Sequence, residues 1–106
     1  MARFLIQATY TASGAKGLTK DGGSGRRSAV DKALGALGGK LESFYFALGA
    51  TDAFVLIDVP DAVTAVALSL AVNASGAVRS SITPLLTVEE MDAACKKTVA
   101  YRAPGA

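Results

Sequence analysis

Between Leu41 and Asp61 the chain reads LESFYFALGATDAFVLIDVPD, and this stretch restricts the possible folds more than any other. Two runs rich in aromatic and branched residues flank a Gly49-Ala50-Thr51-Asp52 turn, which is the pattern of a β-hairpin. Pro60 and a helix-capping Asp61 close the second run. Side chains alternate across a strand, so Leu41, Tyr45 and Ala47 share one face and Phe44, Phe46 and Leu48 the other. In the second strand Ala53, Val55, Ile57 and Val59 oppose Phe54 and Leu56. Both faces are apolar, whereas an antiparallel hairpin commonly leaves one face to water. Helices can cover one of them. The other calls for a second sheet, most simply from a second copy of the chain.

The rest of the chain supplies the elements around that hairpin. Arg3 to Thr11 alternates as a first strand, with Phe4, Ile6, Ala8 and Tyr10 on one side and Leu5, Gln7 and Thr9 on the other. Ser13 to Arg27, SGAKGLTKDGGSGRR, reads by composition as a glycine-rich basic loop. Val30, Ala33, Leu34 and Leu37 then recur at helical spacing, predicting an amphipathic helix over 28–37 that Gly38-Gly39 ends. Asp61 caps a second helix over 62–74, apolar nearly all round and so expected to be largely buried. Ala77 to Leu86 predicts a fourth strand, placed at a sheet edge because Pro84 has no amide hydrogen to donate. Thr87 and Glu90 form a capping box for a short third helix to about Lys97, and the tail 99–106 suits a short strand or a mobile end. The order β-α-β-β-α-β with right-handed crossovers gives an α+β fold in a single domain over 1–106. It has a four-stranded antiparallel sheet, both long helices on one face, and a short C-terminal helix.

Composition removes several functions. A chain of 106 residues builds one small core, and burying a sheet face against a partner favours its stability. The uncharged run 62–72 is too short to span a bilayer and contains Thr64 and Ser69, while the N-terminus reads as a strand, so no membrane partner is expected. A net charge of +2 without a basic stripe interleaved with aromatics argues against nucleic acid. Cys95 is the single cysteine, which excludes an intrachain disulfide and points to a reducing, cytoplasmic setting. With one cysteine and no histidine, no metal site is expected. The glycine spacing matches neither G-x-x-x-x-G-K-[ST] nor G-x-G-x-x-G, and no cofactor is expected.

The segments YTASGAKGL, GGSGRRSAVDKALGALGGKLESFYFALGATDAFVLIDVPD and LSLAVNASGAVRSSITPLLTVEEMD together resemble the GYD domain family, small proteins of mostly unknown function. The resemblance covers nearly the whole chain and is most specific from Gly38 to Asp61. It implies a ferredoxin-like α+β domain related in architecture to dimeric α/β-barrel proteins. Of the Gly-Tyr-Asp signature, Gly49 and Asp52 are present, but Thr51 stands where the tyrosine is expected, so no role of a tyrosine hydroxyl carries over.

Candidate chemistry is sparse. Without histidine there is no Ser-His or Cys-His couple, and the commonest general base near neutral pH is missing. Cys95, with no base predicted beside it, reads as a packing residue. In the basic loop, Lys16, Lys20, Arg26 and Arg27 against Asp21 give four positive charges to one negative, a local +3. Arg26 and Arg27 fall where the predicted helix begins, so Lys16, Arg26 and Arg27 are candidates to hold a small anionic metabolite. Asp52 is a candidate carboxylate, although an Asp in such a turn commonly satisfies its own backbone amides. Asp58 interrupts an apolar stripe and needs a partner, with Arg3 and Arg79 in reach. Tyr10 and Tyr45 are candidates to line a pocket between sheet and helices, with core packing the simpler alternative.

Three functions compete. The first is a homo-oligomeric domain that binds a small anionic or aromatic metabolite, between sheet and helices or at the basic loop. The second is an enzyme of the dimeric α/β-barrel kind, a cofactor-independent monooxygenase or isomerase using Tyr10, Tyr45, Asp52 or Lys16. The third is a purely structural oligomer.

Overall fold

In the computed structural model, which describes residues 1–106, the elements run β1 Ala2–Tyr10, α1 Ala12–Ala36, β2 Lys40–Phe46, β3 Ala53–Val59, α2 Ala62–Ala74, β4 Val78–Leu85 and α3 Val88–Cys95. The strands form one antiparallel sheet in the order β2-β3-β1-β4. This is the ferredoxin-like βαββαβ arrangement with an added C-terminal helix, as the order of elements predicts. Pro84 lies on the edge strand β4, opposite Phe4, where its missing donor costs no second ladder bond.

Strands β1 and β3 take the centre because the side chains they turn toward the helices are apolar until Tyr10 at the end of β1. Phe4, Ile6 and Ala8 are buried there with Ala53, Val55, Ile57 and Val59. Leu34 of α1 and Ala65 and Leu68 of α2 close the layer. Leu34, Ile57 and Val59 are fully buried, and each such side chain contributes about 1.5–3 kcal/mol. Helix α2 starts where Asp61 accepts the Thr64 N–H at 2.8 Å. Helix α3 carries the predicted capping box, the Glu90 N–H donating to Thr87 Oγ1 and the Thr87 N–H to Glu90 Oε1.

The structure corrects the reading of 13–27 as a loop. That stretch is helical: α1 runs from Ala12 to Ala36, broken only at Gly22, where φ is +73°. Thr11 starts it, its Oγ1 accepting the Gly14 N–H at 3.2 Å and donating to the Gly76 carbonyl at 2.9 Å. Glycine is a poor helix former, but here it permits close approach. Gly14 is buried against the Ala77 carbonyl and the Tyr10 ring, and packing outweighs propensity.

The hairpin differs in two respects. Its strands stop at Phe46 and resume at Ala53, so Ala47 and Leu48 belong to a six-residue connection, 47–52, wider than the expected tight turn. A bulge between Leu41 and Ser43 makes Glu42 an extra residue in β2. Leu41 therefore shares the helix side with Phe44, opposite Ile57 and Val55, and Lys40, Ser43 and Tyr45 face the other way, where Glu42 also reaches Arg3. Two further expectations fail on exposure. Helix α2 is only half covered, with Val63, Val66 and Leu70 exposed on its outer side. Cys95 is exposed, so it is not a packing residue.

Two stability predictions follow from these contacts. A methyl group at Gly14 would overlap the Ala77 carbonyl oxygen, whereas one at exposed, helical Gly35 would meet nothing. In urea denaturation, Gly14→Ala should cost about 2 kcal/mol or more, and Gly35→Ala should gain about 0.5–1 kcal/mol. The second prediction concerns pH. Thr64, through its backbone N–H and then its hydroxyl, holds the Asp61 carboxyl below its ordinary range. A depressed carboxyl stabilises the fold above its unfolded-state value and loses that contribution as pH falls through the folded one. Between about pH 6 and pH 3 the urea midpoint of Asp61→Ser, which caps without titrating, should fall less than that of the parent.

Candidate ligand-binding cleft

Beyond Gly22 helix α1 changes direction, and the 47–52 connection stands away from its first half. An open cleft of about 750 Å³ lies between them. Ala15 and Leu18 of α1 line one side; Phe46, Ala47 and Leu48 line the hairpin side. Gly23 completes the apolar wall beside the Phe46 ring, where an added methyl would sit only 3.2 Å from the ring. The Phe46 ring in turn leans on Phe44, centroid to centroid at 4.8 Å.

The polar groups of the cleft are Tyr10 and Asp52. Asp52 is held from three sides. Its backbone N–H donates to the Ala8 carbonyl at 2.8 Å, its carbonyl accepts the Ala47 N–H at 2.7 Å, and its Oδ2 accepts the Tyr10 N–H at 2.9 Å. The carboxylate thus serves β1 across the sheet, where an internal turn role is expected from the sequence. A second bond, from Thr9 Oγ1 to the Ala50 carbonyl at 3.1 Å, ties the same connection to β1.

Two further cavities adjoin. One of about 150 Å³ lies between α1 and the sheet, and one of about 360 Å³ lies between α1 and α2. Tyr10 borders all three spaces, and Arg26 borders the two inner ones. Arg26 is half-buried, and both ion pairs of the chain are made by Arg3, so its guanidinium has no carboxylate partner.

Of the candidates read from the sequence, Tyr10, Asp52 and Arg26 come together around this space. Lys16 and Arg27 do not; both are exposed and border none of these three spaces. Tyr45 lies on the opposite side of the sheet beside Phe54, 69% exposed, because the alternation that turns Phe44 and Phe46 toward α1 turns Tyr45 away. The cleft's main apolar contributors, Leu18, Phe46 and Leu48, are missed by sequence reasoning. Leu18 falls in the segment whose composition reads as loop, and the sequence signal for helix there is Thr11, the N-cap three residues before Gly14.

The open face of the sheet carries the other charged group. Asp58 finds Arg3, whose Nε lies 3.6 Å from Asp58 Oδ1, and Arg3 also reaches Glu42 Oε2 at 3.7 Å. Hydrogen bonding to Asp58, reinforced by that carboxylate's charge, pushes the Glu42 carboxyl above its ordinary range. Arg79 is at the far end of the same face, opposite Thr9. Thr51 borders a polar recess with Gln7, Thr9 and Arg79, outside the cleft. No group of cysteines and carboxylates converges as metal ligands would, and no helix is long and apolar enough to cross a membrane.

No curated protein and no solved structure is matched by the chain. The family model for the GYD domain matches residues 4–95, which spans all seven elements and includes Tyr10, Arg26, Phe46 and Asp52. The chain belongs to the GYD domain family.

Proposed function

We propose that this chain is a homo-oligomeric binding domain that receives a small aromatic metabolite, preferably an acid, between α1, the hairpin connection and the sheet. The observation that carries the reading is the unfilled apolar cleft at Tyr10 and Asp52. At about 750 Å³ it has the size of a small-molecule site, within the roughly 300–1,000 Å³ such sites occupy, and it has their character of apolar walls and few polar groups. Phe46 offers an aromatic face for stacking. Arg26, unpaired at the adjoining inner cavities, is the group to take a carboxylate.

The oligomer forms through the open sheet face. Leu5, Leu56 and Leu85 stand there half-buried, with Phe54 and Tyr45 exposed. Only 12 of 106 residues are buried in one copy, and a domain with so thin a core gains stability by covering that face. The exposed thiol of Cys95 suits a reducing, cytoplasmic setting.

Thermal denaturation tests the binding reading, with benzoate, salicylate and indole-3-acetate as probes beside neutral benzyl alcohol and indole. An aromatic acid at about ten times its Kd should raise Tm by about 5–10 °C. Leu18→Arg should abolish the shift, and Arg26→Met should remove the preference for acids while keeping a smaller shift with the neutral compounds. No shift with any of the five at millimolar concentration would contradict the reading.

A further inference from the structure

Past Leu85 the chain leaves the body of the domain. None of the residues of α3 is buried, and no strand follows it. The molecule measures 55 × 33 × 22 Å with a radius of gyration of 16.7 Å, against about 13 Å for a compact chain of this length. Leu86, Val88, Met91, Val99 and Tyr101 on this arm are each more than half exposed. On α3, Val88, Met91 and Cys95 fall at i, i+3 and i+7 and form one stripe. Glu89 and Asp92 flank that stripe on one side, and neither has an ion-pair partner.

The arm starts at a corner of the open sheet face. Leu85 stands opposite Arg3 on that face, and both border one recess with Glu90 of the first turn of α3. At the other end of β4, Arg79 is exposed on the same face, also without an ion-pair partner. Six residues of strand, about 20 Å, separate Arg79 from Leu85, and Arg79 makes no ion pair with α3 of its own copy.

We propose that the arm over residues 86–106 crosses onto a second copy of the chain and brings α3 against that copy's Arg79. The inference rests on the open-face pairing proposed above. When two such faces pack about a two-fold axis running across the strands, each β4 lies over its counterpart in the opposite direction. The α3 end of one copy then stands over the Arg79 end of the other. Glu89 and Asp92 gain a cationic partner, the Val88–Met91 stripe is covered, and symmetry makes the contact twice.

Cys95, the only thiol, gives a direct test. The unaltered chain is mixed with an Arg79→Cys, Cys95→Ala chain and treated with a short bismaleimide. The control mixture uses Lys32→Cys, Cys95→Ala, which carries its thiol on an exposed position of α1. The expected result is a covalent dimer of one chain of each kind, several-fold more abundant with Arg79→Cys than with Lys32→Cys. Equal yields in protein that sediments as a dimer would overturn the crossing of the arm and leave the face pairing intact. Protein that sediments as a monomer would overturn both. A second measurement reads the charges: Arg79→Glu should raise the dimer Kd about tenfold, and adding Glu89→Arg with Asp92→Arg to the same chain should restore it. An unchanged Kd in Arg79→Glu, or no restoration, would overturn the charge pairing.

Discussion

The antiparallel pairing of β1 with β3 is the contact on which the remaining structure depends. Its register sets Phe4 opposite Ile57 and Ile6 opposite Val55 on the helix side, so one run of seven pairs creates most of the core. The same register places Leu5 opposite Leu56 on the open side, and Gln7 opposite Phe54. A slip of one residue would exchange the two faces entirely. The pairing also ends at Ala8 and Ala53, and that end is where Asp52 accepts the Tyr10 N–H. Core, open face and cleft floor therefore follow from one alignment of two strands.

The cleft exists because small residues keep α1 close to the sheet at some points and release it at others. Gly14 lets the first turn of α1 touch the Ala77 carbonyl, and Gly23 lets the chain pass the Phe46 ring. Between them the positive φ of Gly22 turns the helix, so its first half does not lie flat on the hairpin. Leu18 is left half-buried on the wall of the cleft. The result is an apolar cleft that the protein's own side chains do not fill.

Much of this architecture was legible in the residues. The two-faced apolar run of 53–59, the cap at Asp61, the capping box at Thr87 and the edge position forced by Pro84 are local signals, and the structure contains each of them. Strand β2, by contrast, turns Leu41, Phe44 and Phe46 all toward the helices and leaves Lys40, Ser43 and Tyr45 on the open face. Asp58, interrupting an apolar stripe, calls for Arg3 or Arg79, and it pairs with Arg3. What the sequence concealed depends on contacts between distant segments. Glycines at 14, 17, 22, 23 and 25 speak for a loop by intrinsic preference, and only the nearness of Ala77, Tyr10 and Phe46 makes a helix of that stretch. The bulge at Glu42 likewise has no signature in LESF, and simple alternation puts Leu41 on the face opposite to the one it occupies. Of the site, Tyr10, Asp52 and Arg26 are legible in the sequence by their chemistry, while Leu18 and Leu48 come into view only with the kinked helix and the wide connection.

The central claim of this account is that the face carrying Leu5, Phe54, Leu56 and Leu85 is covered by a second copy. Sedimentation equilibrium of the chain beside its Leu56→Lys variant tests it most directly, since Leu56 lies in the middle of that face and makes none of the helix-side core. The account predicts twice the chain mass for the parent and the single chain mass for the variant, with both folded by circular dichroism. A monomeric parent, or a dimer that Leu56→Lys leaves unchanged, would contradict it.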